Sequence, residues 1–153
     1  MLFVPWKTRP LKKQCIRVLM IEDSPDDVDL LSHAVQRLGA PIELDVAGDG
    51  DEALRILHEA CSVGGQYPTD LILLDLNMPK KSGLEVLREI KGDRQLRQIP
   101  IVIVTASRSP SSIEEAYRTG AACYFAKPAD FEEMKGFVRN MCDFWKMVCY
   151  PVK

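Results

Sequence analysis

Residues 71–83, LILLDLNMPKKSG, carry a carboxylate from the end of an apolar run straight into a turn. Leu71, Ile72, Leu73 and Leu74 have no polar residue among them, the pattern of an interior strand of a parallel sheet that is buried on both faces. A lone acid at the tip of such a strand is costly to bury. Asp75 is therefore expected where water, a metal or a partner can reach it, with Pro79 and Gly83 shaping the turn beyond it.

Comparable apolar runs recur along the chain: IRVLMI at 16–21, IPIVIVTA at 99–106 and AACYFA at 121–126. IELDVA at 42–47 alternates apolar and polar residues, which suits a strand at the sheet edge. Amphipathic segments separate the runs. The first has Ser24 as N-cap, Pro25 at the first helical position, Asp27 in the first turn and Gly39 as its stop. A second helix comes from GDGDEALRILHEA (48–60), and CSVGGQYPT (61–69) reads as a surface loop. A third helix opens on the capping box Ser82-x-x-Glu85, a fourth on Ser109-Pro110, and a fifth on Asp130-x-x-Glu133, reaching about Val148. Strand–helix alternation repeated five times predicts an α/β fold: a flavodoxin-like, doubly wound, five-stranded parallel sheet in the order 2-1-3-4-5 with helices on both faces.

At 153 residues, 46% hydrophobic and 27% charged, the chain has the makeup of one soluble globular domain, and its net charge of −2 offers nothing to a nucleic acid. The five cysteines form no CxxC pair and show no zinc spacing, which points to a reducing cytoplasm. No run approaches the roughly eighteen apolar residues of a membrane span. Residues 1–14, with Leu2, Phe3 and Trp6 and the basic Lys7, Arg9, Lys12 and Lys13, read as an arm before a domain at 15–149; residues 150–153 are a short tail, with no separate output domain.

Ligands of open α/β sheets bind beyond the carboxyl ends of the strands, where the strand order reverses. The expected strand ends are Glu22-Asp23, Asp75, Thr105 and Lys127-Pro128, all on one edge. Acids after strands often only cap helices, but Ser24 already serves that role in the first helix, and Asp75 lies too far before Ser82 to cap the third. Glu22, Asp23 and Asp75 crowded together would repel unless a cation sits among them or one stays protonated. Mg²⁺ fits: Asp23 and Asp75 supply oxygens, Glu22 acts through water, and the Asn77 backbone carbonyl reaches the same ion. A carboxylate can also attack phosphorus, and the Thr105 hydroxyl and Lys127 ammonium suit phosphoryl oxygens. Asp26 and Asp27 read as ordinary first-turn acids, and His33 and His58 as solvated residues lacking acid partners.

EDSPDD, LDLNMPKKSG, VTA and AKP, in that order at four strand ends, resemble the receiver domain of bacterial two-component response regulators over about residues 16–148. The resemblance implies that Asp75 accepts a phosphoryl group from a histidine kinase or a histidine phosphotransfer protein. Glu22, Asp23 and Asn77 would then surround Mg²⁺, Thr105 and Lys127 would bind phosphoryl oxygens, and a cis peptide would join Lys127 to Pro128. It further implies a switch in which Thr105 moves toward the phosphate and Tyr124 turns inward. Such a protein is a signalling receiver, not an enzyme with a substrate of its own.

On the fifth helix Phe131, Met134, Val138, Met141, Trp145 and Val148 share one face; Phe137 and Phe144 widen it on one side and Cys142 and Cys149 on the other, to an apolar arc of roughly 160°. That excess predicts a homodimer through the fourth helix, fifth strand and fifth helix. The ending FVRNMCDFWKMVCYP is similar to that of the stand-alone response regulators of cyanobacterial phytochromes, implying a light-regulated histidine kinase as partner. Two rivals use related chemistry. A haloacid-dehalogenase-type phosphatase would want an acid where Asn77 stands, and a flavodoxin-like cofactor carrier would want a phosphate-cradling loop where Glu22 and Asp23 stand.

Overall fold

The computed structural model describes residues 15–62 and 69–147. The arm, most of the loop after the second helix, Val148, Cys149 and the tail lie outside the described residues. Ile16, Val18 and Met20 of β1 (Ile16–Ile21) belong to one buried cluster and Leu19 and Ile21 to another, as the two-residue period of a strand requires. The same division separates Leu71 and Leu73 from Ile72 and Leu74 in β3 (Leu71–Leu74), and Val102 from Ile101 and Ile103 in β4 (Ile101–Thr105). The sheet is thus buried on both faces through its three central strands, which explains their largely apolar sequence; Arg17, at the second position of β1, is the exposed exception and pairs with Glu43 of β2.

One face is covered by α1 (Pro25–Leu38) through Leu31 and Ala34 and by α5 (Phe131–Trp145) through Met134, Val138, Cys142 and Trp145. The other is covered by α2 (Gly50–Ser62) through Ala53 and Leu57, by α3 (Gly83–Gly92) through Val86, Leu87 and Ile90, and by α4 (Pro110–Thr119) through Ala116. With β2 (Ile42–Ala47) and β5 (Cys123–Ala126), all strands pair in parallel in the order β2-β1-β3-β4-β5. The sheet order, the two helical layers and the edge position of β2 agree with the sequence reading.

The helix starts follow their signals. Ser24 Oγ accepts the Asp27 N–H at 3.4 Å, Ser82 and Glu85 form a complete capping box, and Asp130 Oδ1 accepts the Glu133 N–H at 2.8 Å. Boundaries shift in four places. β4 spans 101–105, because Ile99 closes a turn onto the Leu96 carbonyl. β5 starts at Cys123, because Gly120, in the left-handed region at φ 119°, and Ala121 satisfy the last carbonyls of α4. α2 continues to Ser62, taking Cys61 and Ser62 from the expected loop, and α5 ends at Trp145.

The turn after β3 is held by a close approach. The Gly83 N–H donates to the Leu76 carbonyl at 3.0 Å, and a Cβ on Gly83 would lie 2.2 Å from the Asp75 carbonyl oxygen. Lys81 pins the same turn to α2 and α3 through Asp51 and Glu89, each at 2.8 Å. Gly83→Ala should therefore lower the unfolding free energy by roughly 1–3 kcal/mol. Gly136→Ala, in the middle of α5 where an added Cβ meets nothing within 4 Å, should raise it by about 0.5–1 kcal/mol. Urea denaturation of both variants checks this, and an undiminished midpoint for Gly83→Ala would contradict the packing.

Candidate functional site

Parallel pairing sets the strand ends level: Ile21 lies opposite Leu74, Leu74 opposite Ile103, and Thr105 opposite Ala126. The residues that follow or close these strands, Glu22, Asp23, Asp75, Thr105 and Lys127, therefore emerge side by side. Carboxylate oxygens of Glu22, Asp23 and Asp75 all lie within 4.8 Å of one another, with Glu22 and Asp75 buried and Asp23 exposed. The Asn77 N–H donates to Asp75 Oδ1 at 3.1 Å, and the Asn77 side-chain amide reaches Thr105 Oγ1 at 3.4 Å.

The Lys127 ammonium bridges these acids. Its Nζ is 2.9 Å from Asp75 Oδ2, 3.1 Å from Glu22 Oε2 and 2.6 Å from Asp27 Oδ2. No peptide bond is cis among the described residues, so the cis link expected between Lys127 and Pro128 is replaced by the trans form. Trans is the form favoured by about 0.5–1 kcal/mol for X–Pro bonds. In it, the Lys127 N–H pairs with the Thr105 carbonyl at 2.9 Å while the side chain reaches the acids.

Burial followed by the neighbouring Asp75 pushes the Glu22 carboxyl up to about 7. Burial works in the same direction on Asp75, but hydrogen bonds from Glu22, Lys127, the Asn77 N–H and Thr105 outweigh it and hold Asp75 below the usual carboxylate range. Desolvation disfavours the Lys127 ammonium, yet its bonds to Asp27, Asp75 and Glu22 raise its pKa overall. At mildly acid pH Glu22 holds a proton beside an ionised Asp75. Such crowding is what a divalent cation relieves, and the all-oxygen donor set of Glu22, Asp23 and Asp75 suits a hard ion.

From Thr105 a polar path leads to the surface. Thr105 Oγ1 lies 3.5 Å from the Ser107 N–H, and the Tyr124 hydroxyl donates to the Ser107 carbonyl at 2.8 Å. Tyr124 is half-buried against the core, so its hydroxyl is tied to the loop after β4.

The response regulator receiver domain family matches residues 18–139. The chain belongs to that family. This receiver is 36% identical over 130 residues to the probable methanogenesis regulatory protein FilR2 of Methanothrix harundinacea, covering 84% of this chain and 82% of that protein. It is 33% identical to response regulator Rcp1 of Synechocystis over 128 residues, or 84% of this chain and 87% of that one. Among solved structures it resembles the Mn²⁺-bound form of Rcp1, with a TM-score of 0.74 at 32% identity over 90% of this chain and 99% of that one. It also resembles the phosphorylated cyanobacterial phytochrome response regulator RcpA, with a TM-score of 0.76 at 33% identity over 89% and 99%. Among the described residues of the receiver no helix is long and apolar enough to cross a membrane.

Two expectations about acids are corrected. Asp27 is not merely a first-turn acid, since it makes the shortest of the three contacts to Lys127. Its position three residues after the Ser24 cap, at the end of α1 that points toward the strand tips, was the available signal. His58 does have an acid partner: its Nε2 lies 2.6 Å from Asp93 Oδ2, across the α2–α3 gap. Thirty-five residues separate the two, so no local pattern links them.

Glu22 has a folded pKa of about 7 against an ordinary value of 4.5. Its protonated form therefore contributes stability that is complete below pH 4.5 and lost as pH rises through 7. Asp75 has the opposite sign, contributing above its ordinary 3.8 and losing that contribution as pH falls through its lower folded value. Metal-free protein should thus lose up to about 3 kcal/mol between pH 4.5 and 7.5, and Glu22→Gln should flatten that decline. Urea denaturation in chelator across this range measures both.

Proposed function

We propose that this receiver accepts a phosphoryl group on Asp75 from a sensor histidine kinase, with Mg²⁺ held by Glu22, Asp23, Asp75 and the Asn77 carbonyl. The observation that carries the proposal is the placement of an ionised Asp75 at a strand end, against the Lys127 ammonium and within 4.8 Å of the Glu22 and Asp23 oxygens. An Asp75 oxygen attacks phosphorus, the bond from phosphorus to the donor imidazole nitrogen breaks, and the imidazole leaves with its electron pair and takes up a proton. When bound, Mg²⁺ supplies positive charge for the phosphoryl oxygens. Lys127 shifts a hydrogen bond from a carboxylate to a phosphoryl oxygen, and the buried Thr105 hydroxyl offers a second donor. The protein promotes only its own phosphorylation and dephosphorylation.

The similarity to Rcp1 and RcpA favours a phytochrome kinase as the phosphodonor. We place this receiver in a reducing cytoplasm on the sequence pattern of its five cysteines, which offers neither a CxxC pair nor zinc spacing. The haloacid-dehalogenase and cofactor-carrier readings lose their support here. The Asn77 amide is engaged with Thr105 and cannot serve as a general acid, and β1 ends in acids instead of a phosphate cradle.

Thr105 and Tyr124 form the switch in this reading. A phosphoryl group that draws the Thr105 hydroxyl away from Ser107 changes the loop that holds Tyr124, and with it the surface of α4, β5 and α5. That surface carries Tyr117, Phe125 at 45% exposure, Phe144 at 58% and Met147, with Phe125 packed edge-on against Phe137 at 5.6 Å. Among the α5 residues grouped by spacing, the buried line is Met134, Val138, Cys142 and Trp145, which leaves Phe144 on the open side. A symmetric homodimer through this face is the output surface we infer.

Incubation with acetyl phosphate and Mg²⁺ should add one phosphoryl group (~80 Da) by intact mass; chelator or Asp75→Asn should abolish the gain. Phosphotransfer profiling should show transfer from a phytochrome kinase in preference to other histidine kinases. In sedimentation the protein should dimerise, Phe125→Ser should shift it toward monomer, and Thr105→Ala should accept phosphoryl while losing any phosphorylation-dependent change in assembly. A protein monomeric at high concentration in both states would overturn the dimer.

A further inference from the structure

The four acids around Lys127 divide in their partners. Glu22 and Asp75 both contact the ammonium and belong to the three-carboxylate cluster. Asp23 belongs to that cluster and has no contact with Lys127 within ion-pair distance, whereas Asp27 contacts Lys127 and stands outside the cluster. Asp27 also lines the same small hollow as Glu22, Asp75, Lys127 and Pro128, so it belongs to the pocket. The Asp27 side chain is 34% exposed and that of Lys127 20%, so this pair is only partly screened by water.

A dication shared by Glu22, Asp23 and Asp75 draws on two of the three carboxylates that now hold Lys127, and like charge pushes the ammonium away. Only Asp27 is left to hold it. A lysine on a flexible four-carbon stem, with its other partners occupied, would otherwise swing out to water.

We propose that Asp27 is a positioning residue that retains the Lys127 ammonium beside Asp75 while the metal occupies Glu22, Asp23 and Asp75. Asp27 touches neither the metal nor the reacting phosphorus; it acts through Lys127. The inference rests on the metal-dependent phosphorylation of Asp75 proposed above.

Asp26 provides the control, because it is the neighbouring first-turn acid, is exposed, and has no ion pair with Lys127. Replacing either acid removes one charge from the same helix turn. Calorimetric titration of the full chain with Mg²⁺, without phosphodonor, should show Asp27→Ala weakening binding at least about threefold less with Lys127 present than on a Lys127→Ala background, because only with Lys127 present does the lost carboxylate also release an ammonium that the dication repels. Asp26→Ala should weaken binding equally on both backgrounds. Asp27→Asn keeps the side-chain shape and an acceptor oxygen, so it should fall between wild type and Asp27→Ala, and it reports even if Asp27→Ala loosens α1. At saturating Mg²⁺, phosphorylation by acetyl phosphate should be slowed by Asp27→Ala and unaffected by Asp26→Ala.

An Asp27→Ala effect on Mg²⁺ affinity that is the same with and without Lys127 would overturn the proposal while leaving phosphorylation of Asp75 intact. A wild-type chain that neither binds Mg²⁺ nor gains a phosphoryl group would overturn the parent reading as well.

Discussion

One ammonium set against three carboxylates organises this molecule's functional edge. Glu22, Asp27 and Asp75 come from the end of β1, the first turn of α1 and the end of β3, and Lys127 follows β5. Two buried acids in contact would ordinarily force one to remain protonated, and Glu22 shows that strain in its raised pKa. Hydrogen bonds from Glu22 and then Lys127 let Asp75 stay ionised in spite of burial. A carboxylate kept charged in a dry setting, with part of its solvation supplied by a single cation, is well suited to exchange that cation's hydrogen bonds for others.

The scaffold makes the arrangement inexpensive. Central strands buried on both faces have little freedom to slide, since a one-residue slip would turn every inward side chain to the opposite layer. Their ends are therefore level, and the acids need no long side chains to meet. Gly83 adds a second constraint by passing directly beneath the Asp75 carbonyl, so α3 and the acid-bearing turn behave as one piece.

Much of this was legible in the sequence. Largely apolar runs marked β1, β3 and β4 as interior, the alternation in IELDVA marked β2 as an edge, and Ser24, Ser82 and Asp130 marked helix starts that the hydrogen bonds confirm. Placing Glu22, Asp23, Asp75, Asn77, Thr105 and Lys127 at one edge required only the parallel topology. What escaped notice depends on distance along the chain. Asp27 meets Lys127 a hundred residues away, and its place as an acid in the first turn of α1 gave a sufficient local explanation. His58 and Asp93 meet only because α2 and α3 pack side by side. The start of β5 was misjudged for a different reason: Ala121 and Ala122 suit either structure, and the Gly120 cap decides between them.

The bond between the Tyr124 hydroxyl and the Ser107 carbonyl joins the loop beside Thr105 to an aromatic ring on β5. Couplings of this kind run equally in both directions, because linkage is symmetric in free energy. If the proposed switch links that ring to phosphoryl binding, a molecule that grips the outer face and selects one orientation of the ring alters the phosphoryl affinity of the pocket by the factor by which the phosphoryl group alters its own binding. In that reading, the partner that recognises the ring shares in setting how firmly the pocket holds its anion.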